Sequence, residues 1–204
     1  MKAKYVIWIA AWLVTRALIV VQVGFWQPGG AQYQDVGQYE AWSNSIVSNH
    51  SLPTEETWQY PPGAAFLMLV PRIGDGSFGP SFVVLMLVFD LVGFWLMTRF
   101  ADEEGNDTGV WIWLLAMPLL FSLPVLRFDL VPTVLAVGAL LVIHRRPSWF
   151  GALAAIGGMV KAWPVLVLFG EWDRQRLLRS AGAAIAAAAA IFLASQRRPG
   201  SCVR

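Results

Sequence analysis

Residues 5–26 read YVIWIAAWLVTRALIVVQVGFW. Arg16 is the one charge in the stretch, and a helix of that length covers about 30 Å, the hydrocarbon thickness of a bilayer. It is too long and too rich in tryptophan for a signal-peptide core, and no small-residue cleavage site follows cleanly, so it reads as a retained anchor. The rest of the chain agrees. Of its 204 residues, 57% are hydrophobic and only 14% charged, against about 25% charged in a soluble domain. Mean hydropathy is +0.56. The charges fall in short clusters between apolar runs, and many of the 11 tryptophans lie near the ends of those runs, where an amphipathic ring suits the membrane interface. The fold class expected is all-α: a polytopic transmembrane helical bundle of about six spans plus outer-surface helices. Residues 1–204 are read as a single transmembrane domain.

Working outward, Lys2 and Lys4 precede the first run, which places the N-terminus in the cytoplasm and the chain in the cell membrane as a multi-pass protein. The polar stretch from Gln27 to Tyr60 then lies outside. Within it, Val36 to Val47 carries Tyr39, Trp42, Ile46 and Val47 at mixed three- and four-residue spacing, which suits a short helix on the membrane surface. Gly63 to Val70 follows Tyr60-Pro61-Pro62 and is too short to cross. It reads as a second surface or re-entrant helix, with Asp75 beyond it accessible from outside. Later runs are Phe82 to Phe100, Gly109 to Phe121, Leu130 to Ile143, Trp149 to Gly170 and Leu178 to Ala194. Leu123-Pro124 and Val131-Pro132 interrupt the pattern. This order puts His144, Arg145 and Arg146 inside, as the positive-inside rule requires. Trp149 to Gly170 is read as one span, which sends Arg174, Arg176 and Arg179 outside. The alternative is a hairpin broken at Lys161 and Pro164, which sends Arg197, Arg198 and Arg204 outside. The single span is preferred because each half of the hairpin would cover only about 16 Å.

Several function classes drop out. A net charge of +2 implies no nucleic-acid partner. One cysteine, Cys202, excludes an internal disulfide, and His50 and His144 are far apart, so no metal site and no cofactor is expected. Phosphate loops, GxSxG, HExxH and DxD pairs are missing.

Charged residues in special places remain. Asp35 opens the segment Asp35 to Trp42 just beyond the first span, where a carboxylate can accept a proton from an attacking hydroxyl or simply cap a helix. Glu40 is the next candidate acid, and Glu55 and Glu56 read as solvated. Arg127 and Asp129 lie at a span boundary between two prolines. Arg127 suits forked phosphate binding, or the two form a local pair at a helix end. Lys161, in Gly157 to Pro164, is deep in an apolar run, where it either neutralises a phosphate or snorkels to the interface. Arg16 and Asp90 are intramembrane charges at matched depth and are expected to form an ion pair.

The order of these pieces resembles glycosyltransferase family 87 of the GT-C superfamily: a span, the acidic segment Asp35 to Trp42, Tyr60-Pro61-Pro62-Gly63, Arg127-Phe128-Asp129 and Gly157 to Pro164. It is similar to the polyprenol-phosphate-mannose-dependent mannosyltransferases of that family. The resemblance implies an inverting transfer of a hexose, most often mannose. The sugar comes from a polyprenyl-phosphate carrier and goes to a cell-envelope lipid or glycan acceptor on the outer face. It implies an acidic general base, which Asp35 matches, and basic residues on the lipid phosphate, which Arg127 or Lys161 can match; Asp129, Tyr39, Glu40 and Tyr60 complete the candidate substrate-binding set. Membrane lipids are the other partners. Family members are longer and carry more spans, so the chain reads as the N-terminal portion of such an enzyme. Two other readings stay open: a non-catalytic truncated protein or subunit, and a small transporter.

Overall fold

The computed structural model describes residues 3–25, 33–54, 56–73, 76–171 and 173–196. Asp75, Glu55, Lys2 and the basic tail with Cys202 lie outside the described residues. Those described are helical and contain no strand.

Helix α1 (Ala3–Phe25) is the expected first span. α2 (Gln34–Asn49) and α3 (Gly63–Leu69) follow, and α3 tightens into a 3₁₀ turn at Val70–Arg72. α4 (Phe78–Glu104) ends at Gly105, whose φ of 67° is the left-handed stop that glycine supplies. α5 (Thr108–Leu119), the short α6 (Leu123–Leu126) and α7 (Leu130–Val142) come next, broken near Pro118, Pro124 and Pro132 because proline cannot donate to the helix ladder. α8 (Pro147–Val160), a 3₁₀ helix (Trp163–Gly170) and α9 (Arg174–Gln196) complete the chain. Three described helices are long and apolar enough to cross a membrane, at Ala3–Gly24, Phe78–Glu104 and Arg174–Gln196; the apolar helices between them are shorter. Their outward faces are rich in exposed valine, leucine and isoleucine, as expected where lipid is the solvent.

One end of the bundle carries Lys4 bonded to Asp102, Arg145 bonded to Glu103, and Arg176 beside His144. The other carries Asp35, Arg127, Asp129 and Lys161. Trp149 to Gly170 is not one span. The α-helix stops at Lys161, whose backbone is extended (φ −150°, ψ 131°), and the 3₁₀ helix runs back along α8. Pro164 meets Gly157 and Val165 covers Gly158, while Gly170 returns to Ile143 at the far end. Two glycines make that return possible, because a Cβ on either would crowd the returning chain. The returning arm is short, as counted: eight residues of 3₁₀ helix at about 2 Å each reach about 16 Å. It folds back nonetheless because it packs along α8 and α7 and does not cross as an isolated span. Arg174, Arg176 and Arg179 therefore begin α9 at the Lys4 end, with Arg176 Nη1 3.3 Å from His144 Nδ1. That reverses the expected placement of these arginines and gathers them with Arg145 and Arg146.

This path has a direct test. With Cys202 replaced by serine, single cysteines at Ile73 and Arg176 are expected to label from opposite sides of the membrane. Labelling of both from one side would reject the return at Lys161.

The apolar face of α2 is Val36, Tyr39 and Trp42, all buried against the bundle. Val47, expected on that face, is 45% exposed. α2 thus packs inward on α3 and α4.

Between the two ends lies a buried ion pair, as the matched depths of Arg16 and Asp90 predicted. Arg16 Nε and Nη2 donate to the two Asp90 oxygens at 2.6 and 2.7 Å. Trp12 and Trp113 donate their indole N–H groups to the same carboxylate at 2.7 and 2.9 Å. Arg16 Nη1 also bonds Thr15 and the Leu114 carbonyl. These two tryptophans are internal donors, not interface markers. Trp113 reaches Asp90 because Gly93, on the same face of α4, leaves room for its ring.

Candidate active site

The site is built where four chain breaks meet. Asp35 sits in the first turn of α2, where a carboxylate also suits the positive end of the helix. It is not the N-cap, since the helix starts one residue earlier. Tyr39 is one turn on and faces the core. Arg127 is extended (φ −130°, ψ 142°) between α6 and α7, which turns its side chain across to α2. Its Nε donates to Asp35 Oδ2 at 2.5 Å. Asp129 holds the N-cap position of α7, and its carboxylate accepts from Lys161 Nζ. The expected local Arg127–Asp129 pair is absent: each residue takes a distant partner instead. Lys161 does not snorkel alone, because its ammonium meets Asp129 at the surface of the site.

A base and a phosphate-binding cation with a sugar between them would stand roughly 6 to 12 Å apart; Asp35 and Arg127 touch instead. The four charged groups are between 37% and 48% exposed, so each pair is open to solvent and contributes modestly to stability.

Behind the charges stands an aromatic wall. Phe128 packs on Tyr39 and Tyr60 with ring centroids 4.9 and 4.8 Å away, and Trp42 packs edge-on against Trp58 and Tyr60. Phe82 of α4 supports Tyr39 from below. Burial raises the Tyr39 hydroxyl well above the ordinary tyrosine value, and the hydrogen-bonded Tyr60 and the charge of Asp35 push the same way. Tyr39 therefore stays protonated at physiological pH and is available as a hydrogen-bond donor but not as a base. Trp58 was not singled out from sequence, and Phe128 entered only within the motif Arg127-Phe128-Asp129. The Trp58-x-Tyr60 spacing before two prolines was the available signal. Glu40 is exposed on α2, and among the described residues no ion pair brings it to the cluster.

Gly63 ties the wall to Lys161. A Cβ there would overlap the Met159 carbonyl, so glycine lets α3 press against α8 two residues before the lysine. Gly63→Ala is expected to destabilise the protein by about 1–3 kcal/mol through forced backbone movement. Thermal unfolding in detergent would check it, and an unchanged Tm would mean α3 is free to move away.

Beside Arg127 opens a cavity of about 260 Å³, lined by Met117, Leu120, Leu123, Pro124, Leu130 and Thr133, with Arg127 and Asp129 also on its wall. It is an apolar slot with charged groups at one side. Among the described residues no cluster of His, Cys, Asp and Glu could hold a metal ion.

These features define a helical membrane protein with a charged, aromatic-walled site at one end of its bundle. The chain belongs to glycosyltransferase family 87, whose sequence model matches residues 58–199. Neither a curated protein nor a solved structure matches it. The family match takes in Tyr60, Arg127, Asp129 and Lys161. It begins beyond α2, so Asp35 and Tyr39 relate to the site by geometry alone, and Glu40 is tied to it by neither. Membership also displaces the transporter reading, whose intramembrane charges, Arg16 and Asp90, are paired with each other.

Proposed function

We propose that the chain forms the donor side of a polyprenyl-phosphate-dependent hexosyltransferase, with mannose the preferred sugar and a cell-envelope lipid or glycan as acceptor. The observation that carries this is the apolar slot beside Arg127. A prenyl chain fits an apolar cleft between helices, and a guanidinium at its side suits the attached phosphate. Lys161 supplies a second positive charge to the same neighbourhood.

The chemistry follows from those positions. Asp35 takes the proton from the acceptor hydroxyl as its oxygen attacks the anomeric carbon. The bond from that carbon to the phosphate oxygen breaks, with inversion, and the polyprenyl phosphate leaves with the electron pair. Arg127 and Lys161 stabilise the charge gathering on the phosphate. Tyr39 and Tyr60 line the approach as donors and as an aromatic surface for the sugar. Asp129 holds Lys161 in place.

Arg127 cannot give the same Nε–H to Asp35 and to a phosphate. A donor phosphate that draws the guanidinium toward itself through that N–H competes with the ion pair and loosens the carboxylate.

The cluster of basic residues at the Lys4 end supports a cytoplasmic placement of that end, with the site at the outer face. On this reading α5, α7 and α8, three of the four shorter apolar helices, also pass through the membrane region as short segments covered by their neighbours, and the whole is a multi-pass protein of the cell membrane.

Binding of farnesyl phosphate to the purified chain tests the donor site without requiring turnover. Arg127→Gln is expected to weaken it about tenfold or more, the loss of one charge-assisted contact. Wild-type affinity in that variant, or no binding to the native chain, would reject the assignment.

A further inference from the structure

We propose that the groove between the C-terminal ends of α4 and α7 is a binding site for an anionic phospholipid, at the opposite end of the bundle from the candidate active site. α4 and α7 run in the same direction and pack together, with Leu96 against Gly138. Beyond that contact they enclose a cavity of about 280 Å³. Its rim carries Arg99, Arg145 and Arg146, and its walls include Trp95, Phe100 and Leu141.

The lining is graded as a lipid is. Trp95 lies one turn deeper in α4 than Arg99 and is 56% exposed, facing outward. Leu141 lies inside the end of α7, while Arg145 and Arg146 lie beyond it. Acyl chains would rest on the deep apolar wall, with the headgroup phosphate among the guanidinium groups. A free phosphate has no use for that wall, which selects a lipid over an inorganic anion.

Charge selects an anionic lipid over a zwitterionic one. Glu103 is the one acid lining the groove, and it is taken by Arg145, whose Nη1 donates to Glu103 Oε2 at 2.7 Å. Arg99 and Arg146 make no ion pair among the described residues, so two positive charges remain uncompensated at the rim. Both are exposed. A basic residue near the membrane surface strengthens anionic-lipid binding by roughly fivefold, so two together give about thirtyfold. Arginine also holds a phosphate through two parallel N–H bonds.

The site is independent of the donor reading. It uses other residues, lies at the other end, and would serve to anchor and orient the bundle in an anionic leaflet.

The test uses the full chain in nanodiscs or detergent, with dioleoyl phosphatidylglycerol against dioleoyl phosphatidylcholine, and retained lipid counted by native mass spectrometry. The native chain is expected to prefer phosphatidylglycerol by on the order of tenfold or more. Arg99→Gln/Arg146→Gln should abolish the preference. Arg72→Gln, at the other end, should leave it unchanged. Leu141→Trp keeps every arginine but fills the groove, and should also reduce retention; this separates a built site from diffuse attraction. Millimolar inorganic phosphate should not displace the lipid. Equal retention of the two lipids by the native chain, an unchanged preference in the double variant, or displacement by inorganic phosphate would overturn the proposal. So would an unaffected Leu141→Trp variant.

Discussion

Asp35→Asn is expected to lower sugar transfer about a hundredfold or more while tightening the hold on the lipid phosphate. The first half follows from chemistry. A positioned general base contributes roughly 10²–10⁴ in rate, and asparagine keeps the shape of the side chain but cannot take a proton. The second half follows from the contact between Asp35 and Arg127. On sequence alone the substitution would leave donor binding unchanged. In the structure the carboxylate is a competitor for the arginine, so removing its charge frees the cation. Both side chains are more than a third exposed, which limits the pair to about 1 kcal/mol. The gain in affinity is therefore about two- to fivefold and no more. Farnesyl phosphate binding and transfer of radiolabelled mannose from its polyprenyl phosphate measure the two effects separately. Near-normal turnover would remove Asp35 as the base. Lost turnover with weakened donor binding would mean that Asp35 supports the phosphate site and does not gate it. Adding Arg127→Gln to Asp35→Asn should erase the gain, because no cation is left to release.

Arg16→Met is expected to cost about 3–5 kcal/mol of stability, the penalty for leaving a buried carboxylate without its counter-ion. Asp90 is 3% exposed and so is Arg16, so water cannot compensate either. The two indoles would still reach Asp90, but neutral donors do not cancel its charge. The double variant Arg16→Met/Asp90→Leu should recover part of the loss, since an apolar pair of similar volume often replaces a buried ion pair at little cost. Recovery should be incomplete. Trp12 and Trp113 would each lose an acceptor, worth about 1–3 kcal/mol if left unsatisfied. Unfolding in mild detergent distinguishes the variants. A cost below about 1 kcal/mol for Arg16→Met, or a double variant worse than the single, would show that the pair does not hold α1 to α4.

Much of the fold was legible because hydropathy is a property of consecutive residues. α1 and α4 follow from unbroken apolar runs, α3 from a run too short to cross, and the breaks around Arg127 from Pro124 and Pro132. Even the Arg16–Asp90 contact could be read, because depth along a span is a matter of counting residues from its end. The Asp35 helix was placed correctly along the chain, but its apolar face was assigned to a membrane surface when α3 and α4 cover it.

What sequence could not supply was the choice among partners. Arg127 has a carboxylate two residues away in Asp129 and another 92 residues away in Asp35, and it bonds the distant one. The local pair loses because the extended backbone at Arg127 sends its side chain across to α2, while Asp129 turns with the start of α7 toward Lys161. The same holds for the break at Lys161: hydropathy is blind to direction, and an apolar run looks alike whether it continues or folds back. Gly157 and Gly158 allow the return, and contact with α8 and α7 stabilises it. By itself, then, the sequence determined that the chain is helical, membrane-bound and of glycosyltransferase type, since these rest on runs and motifs along the chain. Which carboxylate meets which cation, and on which side the last arginines lie, was decided by packing, since those depend on how separate helices approach one another in space.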